Sequence, residues 1–358
     1  MLAAEMTAVD LIEIMKKVGE RNQISLAFSK RFLQGSKDFV AAVCVRMRRD
    51  GIDRDRGRSE IGLSELLTVL TTDRTMLEAS VILHIRLPRT VITVLLGTNL
   101  SLASVVLQAV MRNPLASPTV LGINQGAALG ITTSLIFPTL FGTNIAVMAV
   151  IGAFSAAVLT FIIASGLSDR LNSTLILSGV AVGALSYAMV RFAFTLEDDL
   201  ARSVIMWTVG DISDFRWRNA VPLLIFTGLG SMVAYFMSYR FNLMALGEVF
   251  SKGLGVDPRK TLFVGAILAA FLVGTSVAMA GPMGFVGLAI PHISRILFGS
   301  SHRVLIPETA LIGATLMATA DATSKILLAP AKVPVGVIAS LIGAPYFLYQ
   351  TILAKNLQ

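Results

Sequence analysis

One uncharged run constrains this chain more than any other feature. Residues 90–111 are 22 consecutive positions without a charge, and a helix that rises about 1.5 Å per residue crosses a hydrocarbon core of roughly 30 Å over that length. Arg86 and Arg89 precede the run, and Arg-Asn-Pro at 112–114 ends it, because a proline disfavours helix at the residue before it. The run therefore predicts a membrane-spanning helix with basic residues at both ends.

The composition extends this prediction to most of the chain. Of the 358 residues, 54% are hydrophobic and 15% are charged, whereas a soluble domain carries about 25% charged residues. We therefore expect an all-α polytopic membrane protein. Nine apolar spans are predicted, at about residues 90–111, 119–137, 144–166, 173–196, 220–239, 262–280, 284–298, 304–324 and 334–353.

Two breaks interrupt the later spans, at Gly281-Pro282 and in the region from Pro330 to Pro334. Non-helical backbone at membrane depth is tolerated only against protein or a water-filled path. These breaks therefore belong inside the bundle near a conduit, or they are ordinary turns between helices.

The basic residues of the loops predict an orientation. One set of alternate loops is richer in lysine and arginine, and the positive-inside rule places that set in the cytosol. Its members are Arg112, Arg170, Arg240, Lys252, Arg259, Lys260, Arg295, Arg303 and Lys355. The C-terminus is then cytosolic, and Arg86, Arg89 and Lys325 lie outside. The net charge of +8 thus reflects topology, and we expect no nucleic-acid partner.

The first 60 residues do not fit the pattern of the rest. They hold many charged residues and no stretch long enough to span a bilayer, and no signal-peptide core precedes a cleavage site. We therefore divide the chain into an atypical polar segment at 1–60 and a transmembrane domain at 61–358.

Five phrases carry a resemblance to a known family. They are RLPR at 86–89, RNPLASPTVLGINQGAALG at 112–130, ALGEVFSKGLGV at 245–256, AGPMGFVGLAIPHISR at 280–295 and PVGVIASLIGAPYFLY at 334–349. With them the chain resembles the FecCD or BtuC-like family, the permease subunits of ATP-driven importers for iron–siderophore complexes, haem and cobalamin. The resemblance runs from about residue 61 to the C-terminus and implies a BtuC-like transmembrane helix bundle.

The polar segment is the main departure from that family, which places its first transmembrane helix in this region. Three explanations stay open: a lost first span, a wrong reading frame or start, and a cytosolic regulatory segment. One alternative for the whole chain is therefore a non-functional truncated copy with a degraded start.

The polar loop at 241–261 matches the family's coupling segment, which docks into a cleft of the ATPase subunit. We predict two short helices there, broken at Gly253 and Gly255; without the resemblance a surface loop is the favoured interpretation. The residues that match, and that the resemblance makes candidates for ATPase coupling, are Leu246, Gly247, Glu248, Ser251, Leu254 and Gly255.

The resemblance also implies an outer docking site and an inner gate. Arg86 and Arg89 match the arginines that pair with glutamates of a soluble binding protein, and Lys325 stands where the family has a third arginine. Lysine keeps the charge but loses the bidentate fork. The inner gate is expected at the cytosolic ends of two spans, and the residues at those positions are Asn113, Leu115, Asn172 and Ser173.

Few residue patterns suggest chemistry. The sequence contains no G-x-x-x-x-G-K-[ST] phosphate loop, no Ser/His/Asp order and no H-E-x-x-H. The single cysteine, Cys44, excludes a disulfide within the chain. His84, His292 and His302 are too scattered for a metal motif. We therefore expect no enzyme activity, no cofactor and no metal site.

Asp321 is the acidic residue that stands out, because it lies inside the apolar run 304–324. An ionisable group at membrane depth is a functional candidate by default. The competing interpretation is a helix-end residue near water that pairs with Lys325 four positions later.

These features together predict a permease subunit of a binding-protein-dependent importer in the inner membrane. Its expected partners are a separate ATP-binding subunit, a soluble substrate-binding protein, a second permease copy or paralogue, and membrane lipid. Iron–siderophore complexes are the predicted substrate, with haem and cobalamin as alternatives. An ion-coupled secondary transporter is the rival from another class, and it would need intramembrane ionisable groups.

Overall fold

The computed structural model describes residues 82–141, 144–167, 171–193, 195, 216–327 and 334–355. The chain divides into two units: the first joins Met1–Arg74 to Arg295–Gly299, and the second joins Thr75–Ser294 to Ser300–Gln358. Of the first unit only 295–299 is described, and the contacts reported below belong to the second unit. The predicted polar segment at 1–60 lies outside the described residues.

Every regular element in the described part of the chain is helical. A π-helical turn, Ile82–Arg86, leads into α1, Leu87–Met111. The remaining helices are α2 Ile123–Ile136, α3 Pro138–Phe141, α4 Ile145–Leu167, α5 Leu171–Ala193, α6 Trp217–Ala245, α7 Glu248–Gly253, α8 Pro258–Ala280, α9 Val286–Phe298, α10 His302–Leu327 and α11 Val335–Lys355. The predicted fold class, an all-α polytopic membrane protein, is confirmed.

The number of membrane-length helices differs from the nine predicted spans. Six helices among the described residues are long and apolar enough to cross a membrane, namely Leu83–Met111, Ile145–Gly166, Ser173–Ala193, Trp217–Ala245, Pro258–Ala280 and His302–Ser324. The other three predicted spans correspond to α2 with 14 residues, α9 with 13, and α11, of which Val335–Pro345 counts as a shorter apolar helix. Turns or bends occupy the start of the first two of these apolar runs, and composition alone does not separate a turn from a helix.

Small residues allow the helices around α1 to pack closely. α1 contacts α6, α8 and α10, and a Cβ atom at Gly97 would clash with the backbone of Gly313 in α10. In the same way, Gly126 of α2 lies against Gly152 of α4. Such crossings suit a membrane bundle, because lipid is as apolar as the helices and packing must supply the attraction.

The predicted break between α8 and α9 is confirmed. α8 ends at Ala280, Gly281 follows with a φ of 68°, and α9 begins at Val286. Gly281 and Met283 are buried. The non-helical backbone therefore lies against protein, as membrane depth requires.

Candidate functional site

The two arginines of the predicted docking site differ in exposure. Arg86 is exposed in the π-helical turn, whereas Arg89 lies in α1 and reaches α10. The Nε and Nη2 atoms of Arg89 both donate to Oδ1 of Asp321, over 2.9 and 2.6 Å. The two side chains are only 15% and 5% exposed. Arg89 is therefore held inside the bundle, and Arg86 presents its cation at the surface.

This ion pair gives Asp321 a partner on another helix. The acid in the apolar run is thus neutralised by Arg89, 232 positions away in sequence, and its burial needs no ion-coupling role to account for it. Lys325 lies one turn further along α10, and its side chain lies outside the described residues. Pairing between Asp321 and Lys325 stays a prediction.

The opposite end of α1 carries one side of the predicted inner gate. Arg112 adopts a left-handed conformation with a φ of 49° and a ψ of 37°, and the N–H of Asn113 donates to the carbonyl of Gln108 over 3.2 Å. Oδ1 of Asn113 accepts from the N–H of Leu115 over 2.8 Å. Leu115 is 53% exposed. Asn113 and Leu115 therefore form one hydrogen-bonded turn that presents an apolar side chain.

The second side of the predicted gate lies at the start of α5. Ser173 is exposed there, and the side chain of Asn172 lies outside the described residues. No hydrogen bond between described residues joins Ser173 to Asn113 or Leu115. That half of the gate stays a prediction.

The predicted coupling segment contains one short helix, so the prediction of two is wrong. α6 ends at Ala245, and α7 spans Glu248–Gly253. Gly247 and Gly255 flank it with φ values of 100° and 79°, a conformation that side chains other than glycine rarely adopt. The remaining residues turn directly into α8, whose first N–H groups are capped by the Asp257 side chain.

α7 and its flanks expose several large apolar side chains beside the charged residues Glu248 and Lys252. The exposed fractions are 57% for Leu246, 82% for Val249, 68% for Phe250 and 56% for Leu254. Ser251 instead is fully buried, and its Oγ donates to the carbonyl of Gly247 over 2.8 Å. Among the predicted coupling residues, Leu246 and Leu254 are therefore presented outward, and Ser251 supports α7 from within.

Sequence reasoning missed Val249 and Phe250 in this segment. Both were quoted within the matching phrase, but neither was assigned to coupling. The sequence did contain a signal for them, because two large apolar residues are adjacent in a helix that is too short to bury both.

A salt bridge joins the gate loop to the coupling segment. Nη2 of Arg112 lies 3.3 Å from Oε1 of Glu248, and both side chains are partly exposed, at 29% and 54%. Sequence reasoning assigned Arg112 to topology alone, because no local rule connects two residues 136 positions apart.

A small cleft lies near the break between α8 and α9. It has a volume of about 140 Å³ and lies between the loop at 117–120 and the turn at 283–285, whereas pockets for drug-sized ligands measure about 300–1,000 Å³. Asn124 lines it and donates from Nδ2 to Oγ1 of Thr119 over 2.9 Å. Among the described residues, no group of three His, Cys, Asp or Glu side chains is placed to hold a metal ion.

The membrane-length helices and the buried break between α8 and α9 are those of a multi-pass membrane protein, and the short helix α7 lies at one end of them. The chain belongs to the FecCD transport family, whose model matches residues 56–353.

The curated relatives include permeases named for Fe(3+)-citrate, hemin and cobalamin. It is 32% identical over 320 residues to the Fe(3+)-citrate import system permease protein YfmD of Bacillus subtilis (strain 168), covering 89% of this chain and 96% of that protein. It is 36% identical over 275 residues to the hemin transport system permease protein HmuU of Yersinia pestis, covering 75% and 81%. It is 35% identical over 265 residues to the cobalamin import system permease protein BtuC of Halobacterium salinarum, covering 74% and 71%.

A solved structure gives the same fold. It is an inward-facing ABC transporter assigned to the metal-chelate type, superposed with a TM-score of 0.75 and 28% identity, over 91% of this chain and 99% of that chain. The sequence match to YfmD, over 320 residues, is longer than residues 61–358, so it extends into the predicted polar segment.

Proposed function

We propose that this chain is the permease subunit of a binding-protein-dependent importer that is powered by a separate ATPase. The observation that carries the proposal is α7, a six-residue helix that stands outside the bundle with Val249 and Phe250 exposed. Exposed apolar patches rimmed by polar residues mark interaction sites. Two glycines at positive φ and the Asp257 cap fix the segment in place, which suits a surface that must transmit force.

The coupling residues divide into two roles under this proposal. Leu246 and Leu254, with Val249 and Phe250, make the apolar contact with the ATPase. Gly247, Ser251 and Gly255 hold the shape of the segment, and Glu248 begins α7 and binds Arg112. The end of α1 that carries Arg112 then faces the cytosol, and the end that carries Arg86 faces outward, as the loop charges predict.

A second copy or a paralogue completes the translocation path. α5 is one of four apolar helices, with α4, α6 and α10, whose membrane-spanning residues are only 33–39% buried, compared with 78% for α1. Its outward-facing residues include Leu177, Leu185 and Phe192. Because these apolar faces are not covered within one copy, we place the path between α5 helices of two subunits, with lipid covering the remaining apolar surface of a protein of the inner membrane.

Iron–siderophore complexes are the proposed substrate. The name of YfmD specifies Fe(3+)-citrate, and that match spans 96% of the relative's length. The hemin and cobalamin permeases are equally similar in identity, so haem and cobalamin are the competing substrates. An ion-coupled secondary transporter gains no support, because the buried acid Asp321 is engaged by Arg89.

Reconstitution tests the proposal. The permease is placed in liposomes with its ATPase inside and its binding protein, loaded with ferric siderophore, outside. We expect uptake of iron only with all components and ATP, and no uptake with an ATPase whose P-loop lysine is replaced. Uptake by the permease alone, driven by a proton or sodium gradient, would contradict the proposal.

A further inference from the structure

The conformation of Arg112 is unusual for its residue type. It ends α1 in the left-handed region, with a φ of 49°, at a position that glycine normally occupies because a Cβ atom is disfavoured there. A strained residue that persists points to a use for its side chain.

The side chain of Arg112 reaches the coupling segment. Nη2 lies 3.3 Å from Oε1 of Glu248, the first residue of α7. A Cβ atom at Gly247 would lie 3.9 Å from Nη1 of Arg112, so the guanidinium sits beside the turn that enters α7. The guanidinium is therefore in direct contact with the start of α7.

The backbone of Arg112 is continuous with the gate turn. The N–H of the next residue, Asn113, donates to Gln108 in α1, and its side chain holds the N–H of Leu115. Arg112 therefore joins two segments. Its main chain leads into the gate turn, and its side chain contacts the coupling segment at Glu248.

We propose that Arg112 is the positioning residue that transmits movement of α7 to the inner-gate turn at 113–115. This proposal rests on the proposed function, because it assumes that the ATPase docks on α7. Under this proposal Glu248 acts through Arg112. Loss of the ion pair between them should reduce transport for each ATP hydrolysed, while the ATPase still docks.

Two substitutions of Arg112 test the link. Arg112→Gln removes the charge, and Arg112→Gly also removes the side chain from a left-handed position that glycine favours. We expect both variants to bind the ATPase at wild-type yield, with Arg112→Gly at least as heat-stable as wild type. The substrate transported per ATP hydrolysed should fall by about threefold to fivefold, the factor that a partly exposed ion pair supports.

A matched control comes from the same end of the bundle. Arg303→Gln removes an exposed arginine in the first turn of α10, outside the coupling segment at 241–261 and the gate turn at 113–115, and should leave the transport ratio unchanged. A double-mutant cycle then isolates the pair. When normalised to the amount of bound ATPase, the substrate transported per ATP hydrolysed should fall no further in Arg112→Gln combined with Glu248→Gln than in Arg112→Gln alone.

A second measurement follows the gate itself. With Cys44 replaced by serine, Leu115→Cys should react with a membrane-impermeant maleimide at a rate that depends on ATP in the wild-type background. Arg112→Gln should remove that dependence. Wild-type coupling in both Arg112 variants, or additive losses in the cycle, would overturn the proposal. If the proposed function itself fails, the unmodified permease does not transport with its ATPase at all.

Discussion

At the scale of single residues, the ion pair of Arg89 and Asp321 shows where sequence reasoning stops. Both residues were singled out, one by a family motif and one as an acid in an apolar run. Their pairing was not predicted, because helix rules reach only three or four positions along the chain, and these residues are 232 positions apart. The nearer candidate, Lys325, was the only partner that a local rule offered.

The first prediction concerns the stability of this pair. Asp321→Asn should lower the free energy of unfolding in detergent by about 3 kcal/mol, the lower end of the range for breaking a buried pair, because Arg89 retains 15% exposure. Replacing both residues with apolar ones, in Arg89→Met with Asp321→Leu, should recover most of the loss. Thermal unfolding followed by tryptophan fluorescence or by size-exclusion chromatography measures both.

The control for that prediction is Arg86→Gln, three residues away and exposed. It should change stability by no more than about 0.5 kcal/mol. If Asp321→Asn unfolds at the wild-type temperature, the pair contributes nothing to the fold, and Asp321 returns as a candidate for transport chemistry.

At the scale of elements, the long uncharged runs were predicted well and the interrupted ones were not. Residues 90–111 fall within α1 almost residue for residue, because length and absence of charge suffice there. The predicted span at 119–137 instead begins as a turn: Gly122 has a φ of 71°, and α2 starts only at Ile123. Prolines at 114 and 118 signalled that turn, but the apolar composition around them outweighed the signal.

The second prediction concerns α7. Replacing Val249 and Phe250 by serine should weaken ATPase docking at least about tenfold, equivalent to 1.4 kcal/mol, since burying one such side chain contributes about 1.5–3 kcal/mol. Stability of the bundle should not change, because both side chains are exposed in the permease alone. Co-purification of the ATPase with tagged permease provides the measurement.

Lys252→Arg is the matched control within the same helix. It changes an exposed side chain but keeps the charge and removes no apolar surface, so it should leave docking intact. ATPase recovered at full yield with the Val249→Ser, Phe250→Ser variant would remove α7 from the docking surface.

At the scale of the whole molecule, contacts between distant loops agree with the sidedness that the basic residues predict. Nε1 of Trp217 donates to the carbonyl of Leu83 over 2.7 Å, which joins two segments placed outside. Oδ1 of Asn242 accepts from the backbone N–H of His302 over 2.8 Å, which joins two placed in the cytosol. Both contacts agree with the grouping of loops that alternating spans predict, whereas the choice of the group that faces the cytosol rests on the positive-inside rule alone.

The last prediction tests that orientation through binding-protein docking. Arg86→Glu should weaken binding of the loaded binding protein to the permease in lipid nanodiscs by at least about tenfold, because a close charge pair from which docking excludes water can cost roughly 2–5 kcal/mol when one partner is lost. The loss should shrink at 1 M salt, where the screening length is about 3 Å. Lys325→Glu should do less, since lysine lacks the bidentate fork.

Arg89→Met with Asp321→Leu removes the buried pair without reversing a surface charge, and it should leave the affinity within about twofold of wild type if Arg86 carries the docking contact. Unchanged affinity in Arg86→Glu at low salt would take Arg86 out of the docking surface, and the outward placement of this end of α1 would then rest on loop charge alone.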